Sequence, residues 1–550
     1  METREQWLRL ARAVLGGRDL PEFTTYDGIR IAPLYDSGDL PDRTPRLVRP
    51  VQRWDVRQRH AHPDPAVNRE AILADLASGV TSIWLDRHES LDVQLAGVPL
   101  GRVPIAVPAA AGRALLDLAA AEGVALPGGD LGGDPHAPDI DLVRRCLAEQ
   151  PAVRAVLVDA TPYHDAGGAD ADELGCALAH AAAALRALTG AGVPIEDAFG
   201  QIAFRYAATD DQFLTIAKLR AARRLWARVA EACDISPSSA GSAGPVAQFQ
   251  HAVTSSAMMT ARDPWVNMLR TTVACFAAGA GGADAITVQP FDACLGLPDA
   301  FARRIARNTQ SLLLEEAGVA RVLDPAGGSP YVERLTEDLA RTAWAWFQEL
   351  EGGASAADRL AATRGRRDAD IAHRRFPITG VSEFPNLAER LPVRPAGHGL
   401  AQAEDGHLPR VRFAEPYERL RAMADALPAR PVVFLATIGP VAQHTARASF
   451  AANLFQAGGL ATVTSGPGTD PEAIAEAYAD SGTPVACLCS SDALYAEHAE
   501  AVATALRKAG AERIWLAGRG DFPGVDGTVN LASDALAVLR ATFEDLGVRP

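Results

Sequence analysis

Between residues 70 and 330, short apolar runs alternate with longer stretches in which apolar positions recur every three or four residues. The short runs predict buried strands at "TSIWLD" (81–86), "VPIAVP" (103–108), "AVLVDA" (155–160), "IAFRYA" (202–207) and "AITVQP" (285–290). The longer stretches predict helices. In 209–231, Phe213, Ile216, Leu219 and Trp226 share a helical spacing beside Lys218, Arg220, Arg223 and Arg224. Strand-then-helix repetition over about 260 residues predicts a (β/α)8 TIM barrel in the α/β class. From 430 the alternation resumes in "PVVFLATIG", "LATVTSG", "PVACLCSS", "RIWLAGRG" and "GTVNL". Five short strands in about 120 residues predict a doubly wound, flavodoxin-like domain, whose ligands bind at the carboxyl ends of the strands.

The flanking segments break this pattern. Residues 1–50 hold one amphipathic helix and then an extended, proline-containing arm, expected to lie on another surface through Ile29, Ile31, Leu34 and Tyr35. Residues 351–428 are polar and helical, then rich in Pro and Gly, and are expected to form a belt between a barrel at 51–350 and a second domain at 429–550.

Composition narrows the class. A net charge of −15 argues against a broad nucleic-acid surface, which needs clustered cations. No uninterrupted apolar run reaches 18 residues, so no membrane span is expected, and "METREQWLRLARAVLGG" lacks the apolar core of a secretory signal. The seven cysteines lack the paired spacing of a zinc site and are expected to be reduced in the cytoplasm. Cys487 and Cys489, in "ACLCS", are expected to point to opposite faces of a strand.

Candidate chemistry is sparse. Tyr163-His164 follows the strand 155–160, at the end of a barrel where catalytic groups collect, but the His also fits a plain turn before a helix opened by Asp170 or Asp172. The turn "DPAGGSPYVE" (324–333) lacks the Lys of a phosphate loop and reads as a structural turn. "RIARNTQ" (304–310) reads as a solvated or interface face rather than a substrate site. His444, at the mouth of the strand "PVVFLATIG", is either a metal ligand or an ordinary surface residue. No Ser-His-Asp order, HExxH motif or dinucleotide fingerprint is present.

Three stretches, "FLTIAKLRAARRLWARV" (213–229), "ARDPWVNMLRTTVACFAAGAGGADAITVQPFDACLGLP" (261–298) and "ARRIARNTQSLLLEEAGVARVLDPAGGSPYVERLT" (302–336), resemble the methylmalonyl-CoA mutase family. The last 120 residues resemble its cobalamin-binding domain. The resemblance implies an isomerase of propionate metabolism that interconverts (R)-methylmalonyl-CoA and succinyl-CoA with adenosylcobalamin. Bacterial members pair a catalytic large subunit with a shorter, inactive small subunit.

Departures from the family pattern point to the small subunit. His444 stands where the cobalt-ligating His of Asp-x-His-x-x-Gly is expected, but Ala442 replaces the Asp and Arg447 the Gly. Losing an acceptor behind a metal-ligating His typically costs about 10–100-fold in metal affinity. Ser491 in "SSDALY" matches a later family Ser only loosely, and Arg519 splits Gly518 from Gly520 in the expected Gly-Gly turn. In the barrel, Arg59 of "RWDVRQRHAH" (53–62) stands where a Tyr wedged against the corrin is expected. "PGGDLGGDPHAPDI" (127–140) is read as a short loop in place of a longer stretch carrying a carboxylate-gripping Arg, while Tyr163-His164 matches the family's Tyr-His.

The expectation is therefore a non-catalytic small subunit in a heterodimer with a catalytic large subunit, which would hold the adenosylcobalamin. Arg59, Tyr163 and His164 would be remnants, and His444 would bind no metal. Arg59, His60 and Trp84 are the candidates for filling an unused barrel. The alternatives are an active mutase of another acyl-CoA and a transient mutase chaperone or scaffold.

Overall fold

The computed structural model describes residues 4–18, 20, 22–42, 53–235, 247–396 and 408–548. Parts of the expected arm (43–50) and of the Pro/Gly connector (397–407) lie outside them. The chain divides into two compact units, one of Met1–Met258, Asn267–Arg364 and Val393–Val411, the other of Met259–Val266, Gly365–Pro392 and Arg412–Pro550.

In the first unit, the arm forms a hairpin of β1 (Phe23–Thr24) and β2 (Arg30–Ile31). Eight strands then close a barrel: β3 (Asp55–His60), β4 (Ser82–Leu85), β5 (Ile105–Ala106), β6 (Gly129–Gly133), β7 (Arg154–Asp159), β8 (Ile202–Ala208), β9 (Phe249–Thr254) and β10 (Ala285–Thr287). Every neighbouring pair is parallel, and β10 returns to pair with β3, as the predicted TIM barrel requires. The five predicted strands fall on β4, β5, β7, β8 and β10.

The segment "PGGDLGGDPHAPDI" is not the expected loop, because it contains the barrel strand β6. Its neighbours β5 and β7 crowd it so closely that a Cβ on Gly129 would overlap the Ile105 carbonyl, and one on Gly133 the Ala155 carbonyl. Glycine at these positions is a packing requirement, which hides the strand from any search for apolar alternation.

The helix Gln212–Ala232 covers the barrel wall. Ile216, Leu219 and Trp226 are buried as predicted, with Trp226 packed on Phe199 and Phe204, whereas Phe213 stays largely exposed. Three cations on this helix, Lys218, Arg220 and Arg223, are buried as well. Lys218 meets Asp170 and Glu173, Arg220 meets Asp324 and Glu333, and Arg223 meets Asp284. The glycine turn at 324–333 is structural: Asp324 is spent on Arg220, and the Gly328 amide donates to Glu333 at 3.0 Å. In "RIARNTQ", Arg304 and Asn308 are exposed and Arg307 is buried against Asp75.

Arm residues expected to lie on another surface are seated on the chain's own barrel unit. Ile29 is buried and Tyr35 packs on Tyr331, 4.9 Å between ring centroids. By contrast, the helix Arg4–Val14 buries none of its residues.

The second unit is built on a five-stranded sheet in the order β12-β11-β13-β14-β15, with every pair parallel. The strands are β11 (Val432–Thr437), β12 (Ala461–Thr464), β13 (Val485–Cys489), β14 (Arg513–Ala517) and β15 (Gly527–Val529), matching the five predicted runs. Alternate residues feed two separate cores. Phe434, Ala436 and Leu488 pack on the helices Pro471–Ser481 and Asp492–Lys508, while Val433, Leu435 and Trp515 pack on Val441–Ala457 and Ala535–Asp545. Cys487 and Cys489 both belong to the second of these cores, so the expectation of opposite faces is corrected: strand side chains alternate with period two, and residues two apart share a face. All seven cysteines are unbridged. Among the described residues, no helix is long and apolar enough to cross a membrane, and no group of three or more His, Cys, Asp or Glu side chains could hold a metal.

Candidate functional site

The carboxyl ends of the barrel strands surround a cavity of about 910 Å³. Arg59 at the end of β3 and Trp84 at the end of β4 line it. Arg59 donates to Asp86 at 2.6 Å and lies over the Trp84 ring at 4.7 Å, while Arg205 of β8 approaches the same ring at 4.2 Å. Arg205 in turn donates to Asp159 at 2.8 Å.

Below this mouth, charged side chains pack the barrel interior. Arg57 is fully buried and donates to Asp130 at 3.2 Å and to Ser82 at 2.9 Å. Arg205 Nε donates to His251 Nδ1 at 3.1 Å, so the other ring nitrogen of His251 carries its proton toward Thr287 Oγ1, 2.8 Å away. Burial, reinforced by Arg57 and Arg205, holds His251 well below its usual pKa and therefore neutral. The expected filling by Arg59, His60 and Trp84 is thus corrected. Arg59, Trp84 and Arg205 border an open mouth, and Arg57 and His251 fill the space beneath. His60 follows the strand alternation outward to the helix Pro65–Leu76, where Asp75 stands 3.8 Å away, and burial lowers its pKa to about 3.

Tyr163 and His164 lie on the short helix Thr161–Asp165 that follows β7. They diverge. Tyr163 lines the cavity, whereas His164 is buried with Nε2 2.6 Å from Ser255 Oγ. The Tyr163 hydroxyl is hydrogen-bonded to His180, whose other ring nitrogen is bonded to the exposed His136, and all three line the cavity. Burial and then His136 push His180 down to about 4, so it is neutral near pH 7. Asp165, also on the cavity wall, is raised to about 7 by burial, with Arg410 opposing. His136, His180 and Asp165 were not foreseen: they are separated by up to 44 positions, in no motif, and only the barrel brings them together. Of the predicted cluster, Arg59 and Tyr163 share the cavity and His164 does not line it.

The cavity can accept a polar small molecule and offers a carboxyl that exchanges a proton near neutral pH. Its Arg59 and Arg205 are paired with Asp86 and Asp159, and Arg410 also lines it.

In the second unit, His444 occupies the first turn of the helix Val441–Ala457, nearly buried, and neither ring nitrogen has a hydrogen-bond partner. Arg447, one turn on, crosses the carboxyl ends of β13 and β14. It donates to the Ser490 carbonyl at 2.7 Å, pairs with Asp492 and lies 5.0 Å from the Tyr495 ring. A side chain on Gly518 would meet the Arg447 guanidinium at 3.0 Å. Ser491 caps the helix Asp492–Lys508 by position only, its hydroxyl buried without a partner.

Residues 139–433 match the family model described as methylmalonyl-CoA mutase. The chain is 51% identical to the methylmalonyl-CoA mutase small subunit of Streptomyces virginiae, over 99% of this chain and 97% of that one. The chain belongs to the methylmalonyl-CoA mutase family. This family of isomerases includes a probable small subunit from Mycobacterium tuberculosis, 42% identical over 90% of this chain and 86% of that one. The Streptomyces virginiae large subunit is 36% identical, but over only 46% of this chain and 35% of its own. Tyr163 and His164 fall inside the family match, and Arg59 and His444 outside it.

Proposed function

We propose that this chain is the small, non-catalytic subunit of a heterodimeric methylmalonyl-CoA mutase. It would bind and stabilise a large subunit that interconverts (R)-methylmalonyl-CoA and succinyl-CoA, and the adenosylcobalamin would sit in that partner. The observation that carries the reading is Arg447. Its guanidinium lies across the crevice at the strand ends, held by Ser490, Asp492 and Tyr495, where a nucleotide tail would have to approach the backbone. His444 sits in the first turn of a closed helix rather than on a loop free to reach a metal. These residues do not fit a corrin. The strand order 2-1-3-4-5 supports a flavodoxin-like, degenerate cobalamin-type domain at 429–550, after an arm at 1–50, a barrel at 51–350 and a belt at 351–428. The unbridged thiols favour a cytoplasmic location. An obligate interface would bury on the order of 2,000–5,000 Å².

Two measurements test this reading. Mixed with adenosylcobalamin in the dark and desalted, the isolated chain is expected to retain no corrin absorbance. Co-expressed with a large subunit, it is expected to elute from gel filtration as a stable 1:1 complex. Retained corrin that disappears in His444→Ala would overturn the reading, and a complex that falls apart on the column would favour a transient chaperone.

The open cavity at the barrel mouth favours a second reading, in which the chain itself transforms an acyl-CoA. Arg59→Ala separates the two. For a non-catalytic subunit, turnover of the reconstituted complex is expected to change by less than about twofold. A loss of two orders of magnitude would place chemistry in this barrel.

A further inference from the structure

The tip of the arm hairpin holds a carboxyl in an unusual place. Asp27 accepts a hydrogen bond at 2.6 Å from the Ala171 amide, in the first turn of the helix Asp170–Gly190. Helix N-termini leave amides unpaired, and the residue at the cap position here, Ala169, has no side-chain acceptor. A distant segment therefore supplies the cap.

The surroundings are acidic. The helix contributes Asp170, Asp172 and Glu173, and the turn before the helix Gln212–Ala232 contributes Asp210 and Asp211. Lys218 is the cation facing Asp27, and its ammonium is already shared between Asp170 at 2.8 Å and Glu173 at 2.7 Å. Arg359 is spent on Asp172 at 2.6 Å. From the helix Pro330–Glu351, Tyr331 packs on Tyr35 of the arm, and burial followed by Asp211 raises its hydroxyl to about 12, out of the neutral range.

We infer that the hairpin Phe23–Ile31 is a pH-operated latch, seated on the Asp170–Gly190 helix while Asp27 is protonated and loosened when Asp27 ionises. Protonated, Asp27 still accepts the Ala171 hydrogen bond but no longer opposes its acidic neighbours. Ionised, it adds a charge that Lys218 cannot fully compensate. Burial and then Asp170 raise Asp27 to about 7 from its ordinary 3.8. A carboxyl whose pKa is raised in the seated state binds its proton more tightly there. Seating is therefore strongest below the ordinary value, weakens as pH rises toward 7, and levels off above it. Between pH 5.5 and 8.0 these two values correspond to a fall of about 30-fold in the ratio of seated to released arm. Buried Ile29 and the Tyr35–Tyr331 contact do not titrate in this range, so they set the baseline on which the latch acts.

Amide hydrogen exchange on the full chain tests the inference, after correction for the intrinsic pH dependence of exchange. The Ala171 amide, which donates to Asp27, reports release of the hairpin, and the amides of Thr25, Gly28 and Ile29, bonded within the turn, report the opening that follows. Their protection is expected to fall about 30-fold from pH 5.5 to 8.0. In Asp27→Asn, which keeps an acceptor and loses the charge, protection is expected to stay constant over that range. Flat protection in the unmodified chain would overturn the latch. An undiminished fall in Asp27→Asn would also overturn it and assign the titration to Glu173, which burial likewise raises to about 7.

Discussion

Replacing Gly129 with alanine is expected to abolish the folded barrel. The residue holds φ at +116°, a region that side chains with a Cβ rarely adopt, and its Cβ would overlap the backbone oxygen of Ile105 on the adjoining strand. Backbone cannot move aside as a flexible side chain can, and β6 is fixed on its other edge by β7, where Gly133 is equally crowded by Ala155. A cost of about 4 kcal/mol or more follows, a large part of the stability of an ordinary domain. Urea denaturation followed by far-UV circular dichroism measures it, and a variant with an unchanged midpoint would contradict the packing described for β6. Gly123→Ala is the control. That glycine also has positive φ (+67°) but open space around it, so about 1 kcal/mol is expected there.

Removing the Arg57 guanidinium is the second large perturbation. Arg57→Met is expected to destabilise the first unit by about 3–5 kcal/mol, because Asp130, fully buried, loses its closest cation and is left with Arg205 at 3.8 Å and the more distant field of Arg154. The loss measures an uncompensated buried charge, not the worth of the pair. Combining Arg57→Met with Asp130→Leu is therefore expected to recover most of the stability, since a well-packed apolar pair can replace a buried ion pair at little cost. Denaturation midpoints of the two variants decide it. A double variant no better than the single would mean that the interior network resists deletion as a whole, through Arg205, His251 and Ser82.

Strands such as β8 and β13, buried on both faces, were located by sequence reading because burial leaves a nearly continuous apolar run. Those it passed over carry their information differently. In β3, "DVRQRH", the inward residues Arg57 and Arg59 are charged because the barrel interior is an ion network, so a hydrophobic pattern cannot reveal the strand. The burial of Lys218, Arg220 and Arg223 likewise leaves no mark in a hydrophobic pattern. At the candidate site, Tyr163 was legible because it follows a recognisable strand, and Arg59 only through the family resemblance. His136, His180 and Asp165 required the closed barrel to bring remote positions together. His60 was misassigned by one residue of alternation, the smallest error that sends a side chain to the opposite face.

Barrel closure also has a consequence for synthesis. β3 finds its second neighbour only when β10 is available, through Ala285 opposite Asp55 and Ile286 opposite Val56. A ribosome adding about 5–20 residues per second takes roughly 10–50 s to extend the nascent chain from the first of these strands to the last. Throughout that interval β3 presents an open edge of unpaired amides and carbonyls, and each newly emerged strand in turn presents another. The nascent first unit is therefore most exposed to misassociation before its own last strand exists, and in that interval a holdase or slower translation would change the yield of native subunit.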